Sequence, residues 1–303
     1  MRYGIIGTGA IGGYYGARLA QSGQEVHFLL RSDYDYVKEH GLQVDSCNGS
    51  FHLDNPHIYN NSSDMPVCQV VLVCLKSINN QKLKELLPPL LDKDTLVVLI
   101  QNGIGVEEDV QKMFPGTALA AGLAFICSAK TEPGRVNHQC YGQINIGNYS
   151  CKNEALVQQV IDEFNAADVK AGQVEYQEAR WKKAVWNMPF NGMTVALKTQ
   201  TDLLLKNPSS RQLIIDLMME VVGAAHALGI TGFDESFVDK MVSMTEEMVP
   251  YSPSMRLDYD FHRPMEIDYL YTRPIAEARK AGFHMAKLEM LEQQLRFLQQ
   301  QNC

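Results

Sequence analysis

Apolar positions in the first half of the chain fall into short β-branched runs separated by segments of helical period. The runs at residues 3–6, 25–30, 70–75 and 96–100 read as strands, and residues 11–22, 79–91 and 106–114 as amphipathic helices. Val70-Val71-Leu72-Val73-Cys74-Leu75 is apolar at every position, the pattern of a strand covered on both faces. Strands alternating with helices predict βαβ units around a parallel sheet. Beyond residue 117 the pattern changes. Residues 125–131, 135–138 and 143–146 read as short strands joined by turns such as Glu132-Pro133-Gly134, which predicts hairpins at the sheet edge.

From residue 179 strand signals fade and helical periods take over, at residues 179–197, 209–228, 234–248, 266–281 and 286–301. Their breaks fall at Lys206-Asn207-Pro208, Leu228-Gly229-Ile230 and Ala281-Gly282. The pattern predicts an α/β domain over residues 1–170 and an all-α domain over residues 171–303.

A length of 303 residues suits two domains or one large one. Lys and Arg number 27 against 35 Asp and Glu, a net charge of −8. No excess of basic charge is available to displace counterions from a nucleic acid. The longest nearly apolar stretch, residues 118–127, is far shorter than the ~20 residues of a membrane span. The N-terminus enters a strand at once, so the expectation is a chain with no cleaved leader. Seven cysteines (Cys47, Cys68, Cys74, Cys127, Cys140, Cys151 and Cys303) show no CxxC spacing. They read as free thiols in a reducing, cytoplasmic compartment, six as small hydrophobes and Cys303 as a terminal thiol. The histidines form no HxxxH spacing, and no metal site is predicted.

Gly7-Thr8-Gly9-Ala10-Ile11-Gly12 is a GxGxxG sequence set between a predicted strand and a predicted helix. That context makes it a dinucleotide fingerprint of the Rossmann type, with separate reasons for each glycine. Gly7 makes the tight turn, Gly9 lets the backbone approach a pyrophosphate, and Gly12 lets helix pack on strand. The helix N-terminus then offers its N–H groups to the phosphates. The second strand ends in Arg31-Ser32 with no carboxylate at its tip, so Arg31 is the expected clamp on a 2′-phosphate and NADP(H) the expected cofactor. Asp33, two residues on, weighs against a strict NADP preference.

Hydride transfer to a carbonyl leaves charge on oxygen, so a cation or proton donor is needed there. Three segments offer candidates: Lys76 beyond a buried strand, Gln101-Asn102-Gly103-Ile104-Gly105 beyond the next, and the run Arg180 to Asn191. In that run Lys183, Asn187 and Asn191 share one helix face, and Trp181, Val185, Trp186, Met188 and Phe190 leave little room for a wet surface. Pro189 inside the run should kink the helix and release a carbonyl.

Together the fingerprint, the Lys after the third buried strand, the QNGxG segment, the RWxK…N…N run and the later Ser254…Glu266 pair resemble the ketopantoate reductase (2-dehydropantoate 2-reductase) family over nearly the whole chain. The resemblance implies a Rossmann domain followed by an all-α domain of the 6-phosphogluconate-dehydrogenase C-terminal type. It implies Lys183 as the general acid and Glu266 as the carboxylate that holds the substrate hydroxyl and the active-site network. It further implies that Asn102, Asn187, Asn191 and Ser254 meet the substrate, and that Lys76, Asn102 and Glu266 lie near the cofactor. Lys183 is preferred to Lys182 because only it keeps the four-residue spacing to Asn187. The chain departs from the family pattern at Gly192, where Pro is expected, and at Thr201, where some members have Asn.

The implied activity is NADPH-dependent reduction of 2-dehydropantoate to pantoate, in pantothenate synthesis. Alternatives on the same scaffold are reduction of another branched 2-oxo acid, a 3-hydroxyacid dehydrogenase, or a non-catalytic NADPH sensor. Apolar positions of the helical half fit either a core or a homodimer interface.

Overall fold

The computed structural model describes residues 1–302; Cys303 lies outside the described residues. Contacts divide the chain into two units, residues 1–101 with 106–176, and residues 102–105 with the chain from 177 onward.

The first unit is built on a mixed ten-stranded sheet. Its elements run β1 (Arg2–Ile6), α1 (Ala10–Gln21), β2 (Glu25–Leu29), α2 (Tyr34–His40), β3 (Leu42–Ser46), β4 (Phe51–Leu53), β5 (His57–Tyr59) and β6 (Val70–Val73). They continue with α3 (Leu83–Leu86), β7 (Leu96–Leu99), α4 (Val106–Met113), β8 (Ala118–Glu132), β9 (Arg135–Asn148), α5 (Glu154–Ala166) and β10 (Ala171–Val174). The strand order is β4-β3-β9-β8-β7-β6-β1-β2-β5, with β10 also paired to β9. Strands β5, β2, β1, β6, β7 and β8 are mutually parallel, so the predicted βαβ framework is present. All four residues of β6 and of β7 are buried, as two-sided coverage of a parallel strand requires.

The hairpin differs from expectation. Strands β8 and β9 are single long antiparallel partners, and β9 also pairs with β3 and β10, so the hairpin lies inside the sheet and not at its edge. Register shifts at Phe125/Ile126, Cys127/Ser128 and Lys130/Glu132 interrupt the ladder, and these bulges mimic strand ends in the sequence. The helix expected at residues 79–91 resolves into a 3-10 turn (Ser77–Lys82), α3 and a second 3-10 turn (Pro88–Leu90), because Pro88 and Pro89 bring no N–H to a ladder.

The second unit contains α6 (Tyr176–Ala196), α7 (Thr201–Lys206), α8 (Pro208–Ala227), α9 (Glu235–Glu246), α10 (Ser254–Asp260), a π-helical turn (Asp268–Thr272), α11 (Arg273–Lys280) and α12 (Ala286–Asn302). Its own core, with Val185, Met188, Phe190, Leu217, Val221, Tyr271 and Leu288 at its centre, is separate from that of the sheet unit. The segment expected as one helix over 266–281 opens instead on the π turn, and Pro274 brings no N–H to the ladder where α11 begins. Among the described residues no helix is long and apolar enough to cross a membrane.

Candidate active site

In the sheet unit the three fingerprint glycines have different surroundings. Gly7 has φ +97°, and a Cβ there would stand 2.7 Å from the Leu75 nitrogen. A Cβ on Gly12 would stand 2.4 Å from the Gly7 oxygen and 2.9 Å from Ile5 Cγ2. Both are therefore fixed by the turn and by helix-to-strand contact. Gly9 is the opposite case, because a Cβ added there meets no atom within 4 Å. Its N–H donates to Gly7 O at 2.8 Å, and its carbonyl accepts the first α1 bond from Gly13 N–H at 2.9 Å. Thr8 Oγ1 donates to Leu29 O at 3.0 Å, fastening the turn to the end of β2. Helix α1 opens at Ala10 and Ile11 with no side-chain cap and no acidic residue in its first turn. An uncapped helix start beside open space fits a pyrophosphate, whose oxygens would accept from those N–H groups.

Arg31, just past β2, is exposed. Asp33 is buried, and its carboxylate accepts from Lys130 Nζ at 2.5 Å, Gly134 N–H at 3.1 Å and Ser32 Oγ at 2.9 Å. Burial alone would raise this carboxyl, but the Lys130, Gly134 and Ser32 bonds together hold it below the ordinary range. Lys76 sits half-buried beyond the carboxyl end of β6. Gln101 Nε2 donates to Leu75 O and Asn80 Oδ1, both at 2.7 Å, and so ties the loops after β6 and β7 together.

In the helical unit α6 distinguishes its two adjacent lysines. Lys182 donates to Glu178 Oε1 at 2.5 Å and lies 5.8 Å from the ring centres of both Phe233 and Phe237. Lys183 lines a narrow cleft with Arg180, Ala184 and Asn187 of the same helix, Gly103 and Ile104 of the loop, and Tyr269, Leu270 and Pro274. The cleft thus brings together Lys183 and Asn187, while Asn102 is the residue immediately before its Gly103 wall.

Residues 102–105 are seated on the π turn. Gly103 (φ +103°) comes so close to Tyr269 that a Cβ would lie 2.5 Å from both the Tyr269 Cβ and its carbonyl oxygen. Ile104 N–H donates to that same Tyr269 oxygen at 2.9 Å, and Arg273 Nη1 donates to Gly105 O at 3.4 Å. The glycines of QNGxG therefore allow a backbone-to-backbone approach.

Asn191, one turn beyond Asn187, is buried, with both ends of its amide engaged. Nδ2 donates to Asn187 O at 2.9 Å, and Oδ1 accepts from Met255 N–H at 3.1 Å. It holds the start of α10, whose first residue is Ser254. Glu266 is buried two residues before the π turn. Ser254, Asn191 and Glu266 do not line the cleft that contains Lys183.

At the family departures, Gly192 packs where a Cβ would meet Tyr271 Oη and Leu291 Cδ2, each at 2.6 Å. Thr201 is buried, and its hydroxyl donates to Tyr251 O at 3.3 Å. Helix α6 runs on through Pro189. Sequence reasoning names Arg180 only as the first residue of its run and gives no signal for Tyr269 or Tyr271; Asp258 is a buried carboxylate paired with Arg263 Nε at 3.1 Å. Aromatic residues at helical spacing read as core, and only the contact with the QNGxG loop distinguishes Tyr269.

An open GxGxxG turn on a mixed sheet, followed by a helical unit whose cleft holds Lys183, is the pattern of a dinucleotide-dependent oxidoreductase. The family described as "Ketopantoate reductase PanE/ApbA" matches residues 3–150, and "Ketopantoate reductase PanE/ApbA C terminal" matches residues 175–299. The chain belongs to the ketopantoate reductase family. A 2-dehydropantoate 2-reductase of Nostoc sp. is 40% identical over 99% of this chain and 96% of its own length. The crystal structure of 2-dehydropantoate 2-reductase from Geobacter metallireducens GS-15 superposes with a TM-score of 0.94 at 37% identity, covering 98% of this chain and 99% of that one. The fold is also shared with D-mandelate dehydrogenase, whose ternary structure with NADH and anilino(oxo)acetate matches with a TM-score of 0.89 at 24% identity, over 100% of this chain and 99% of that one.

Proposed function

We propose that this enzyme reduces 2-dehydropantoate to pantoate with NADPH, with Lys183 as the proton donor. The observation that carries the reading is the placement of Lys183 and Asn187 in one cleft walled by the Gly103–Ile104 backbone, in a chain that matches its relatives end to end. The reduced nicotinamide, when bound, supplies hydride to the carbonyl carbon. The protein's part is to hold the 2-oxo acid and to place a proton at the oxygen as charge develops there. In this reading Lys183 Nζ delivers that proton and Asn187 and Asn102 orient the substrate. Glu266 and Ser254 hold its hydroxyl and carboxylate, with Asn191 fixing Ser254 through the Met255 N–H.

On the cofactor side, Gly7 to Gly12 cradle the pyrophosphate, Lys76 and Asn102 stand toward the dinucleotide, and Arg31 takes the 2′-phosphate. NADPH over NADH is supported by the engagement of Asp33 with Lys130, Gly134 and Ser32, which uses up the carboxylate that would otherwise serve a ribose 2′-hydroxyl. Six free cysteines among the described residues favour a reducing, cytoplasmic setting. The exposed Leu197, Met290 and Phe297, which line one surface groove, are the candidates for self-association as a homodimer.

The test is NADPH consumption with 2-dehydropantoate against a panel of other 2-oxo acids. A kcat/KM for 2-dehydropantoate at or below that of another branched 2-oxo acid reassigns the substrate, since the ratio reports differential transition-state binding.

A further inference from the structure

Cys127 on β8 and Cys140 on β9 are directly opposed in the antiparallel ladder, next to the register shift at Cys127/Ser128. Both are free thiols, Cys127 buried and Cys140 half-buried. Directly opposed residues in such a ladder have Cα atoms about 4.5–5.5 Å apart. Disulfides span Cα separations of about 4.4–6.8 Å, so the Cα spacing of an opposed pair falls within disulfide range. Side chains of opposed residues also share one face of the sheet, which points the two sulfurs the same way. An exposed third thiol, Cys47, lies with its sulfur 3.9 Å from His138 Nδ1 and is the competing partner.

We propose that Cys127 and Cys140 form a cross-strand dithiol that closes to a disulfide when it meets a small-molecule disulfide. The Cys140 thiolate, the more accessible of the two, attacks one sulfur of the oxidant. A small thiolate leaves and a mixed disulfide remains on Cys140. Cys127 then gives up its proton and attacks the Cys140 sulfur, expelling the second small thiolate, which takes up that proton. Two protein thiols are oxidised and one small disulfide is reduced to two thiols. Burial lifts both thiols above the ordinary cysteine range, with Cys140 also raising Cys127. The reaction is therefore faster at alkaline pH, where more thiolate is present. None of this rests on the reductase reading.

The experiment treats the whole protein with oxidised glutathione, blocks remaining thiols with N-ethylmaleimide, and maps non-reduced peptides from a combined tryptic and chymotryptic digest by mass spectrometry. Trypsin cuts after Lys130 and Arg135 and so separates Cys127 from Cys140, and chymotrypsin cuts after Tyr141 and so separates Cys140 from Cys151. The expected result is a peptide pair linked through Cys127 and Cys140, formed faster at pH 9 than at pH 7, lost on reduction with dithiothreitol and undiminished in Cys47→Ser. Cys140→Ala and Cys127→Ala should each abolish it, with circular dichroism confirming that at least one of them folds. A link that runs through Cys47, a Cys140–glutathione adduct that never closes, or Cys127 and Cys140 both recovered as maleimide adducts would overturn the proposal.

Discussion

The hydroxyl of Tyr271 donates to the main-chain oxygen of Met188 at 2.5 Å, which joins the π turn after Glu266 to the middle of α6, the helix that carries Lys183, Asn187 and Asn191. The bond is fully buried and lies where Gly192 leaves room for the phenol. Burial keeps this phenol protonated, so it remains a donor across the working pH range.

Gly192→Ala should therefore destabilise the protein by about 1–3 kcal/mol, since the new Cβ meets Tyr271 Oη and Leu291 Cδ2. Adding Tyr271→Phe should recover part of the loss, because one of the two clashing atoms is then gone. Chemical denaturation of the two single variants and the double variant gives the coupling directly. Strict additivity would show that the two residues do not share a space.

Lys183→Ala is expected to lower kcat by about 10²- to 10⁴-fold, the usual contribution of a positioned proton donor, with dinucleotide affinity kept. Lys182→Ala, which removes a cation already held by Glu178 and two phenylalanines, should leave kcat within a few-fold of the parent. Steady-state rates with titration of NADPH fluorescence separate the two; comparable losses in both variants would sink the assignment.

The fingerprint glycines should separate binding from stability. Gly9→Ala is predicted to fold with an unchanged melting temperature in the absence of ligand and to lose NADPH affinity. Gly12→Ala forces a Cβ to 2.4 Å from the Gly7 oxygen and should lose about 1–3 kcal/mol of stability before any ligand is added. Differential scanning fluorimetry with and without NADPH distinguishes them.

Arg31→Ala should weaken NADPH by roughly 1.5–3 kcal/mol, the range for a hydrogen bond to a charged group, with NADH almost unaffected. Equal losses for both cofactors, measured by calorimetry, would remove the 2′-phosphate role.

Asp33 has a depressed carboxyl, so its contribution is complete above the unfolded value near about 3.9 and disappears as pH falls through the lower folded value. Asp33→Asn should accordingly lower stability at neutral pH and flatten the acid limb below about pH 4. An acid limb of unaltered steepness would show that the Lys130 pair has no such linkage.

Much of this was legible in the residues. The apolar run at 70–75 and the GxGxxG turn located the parallel strands and the tight turn between β1 and α1 because each depends on local geometry. The four-residue spacing paired Lys183 with Asn187, and these two line one cleft. What stayed hidden depended on tertiary contact. Bulges inside β8 and β9 resembled strand ends, and the pairing of β9 with β3 involves residues about 90 positions apart. Asn191 read as a substrate contact, yet its amide is occupied by Asn187 O and the Met255 N–H. No pattern in the sequence marks which atoms a buried amide will satisfy.

Four residues, 102–105, leave the sheet unit and group with the helices. The division into units is therefore discontinuous along the chain. A graft that exchanges only the chain after residue 176 between relatives would join one parent's cleft to the other parent's Gly103–Ile104 wall and strip the π turn of its matched cover. Functional chimeras of this family must carry two separate stretches of gene, and variation in the short QNGxG segment is constrained by helices that lie more than 150 residues downstream.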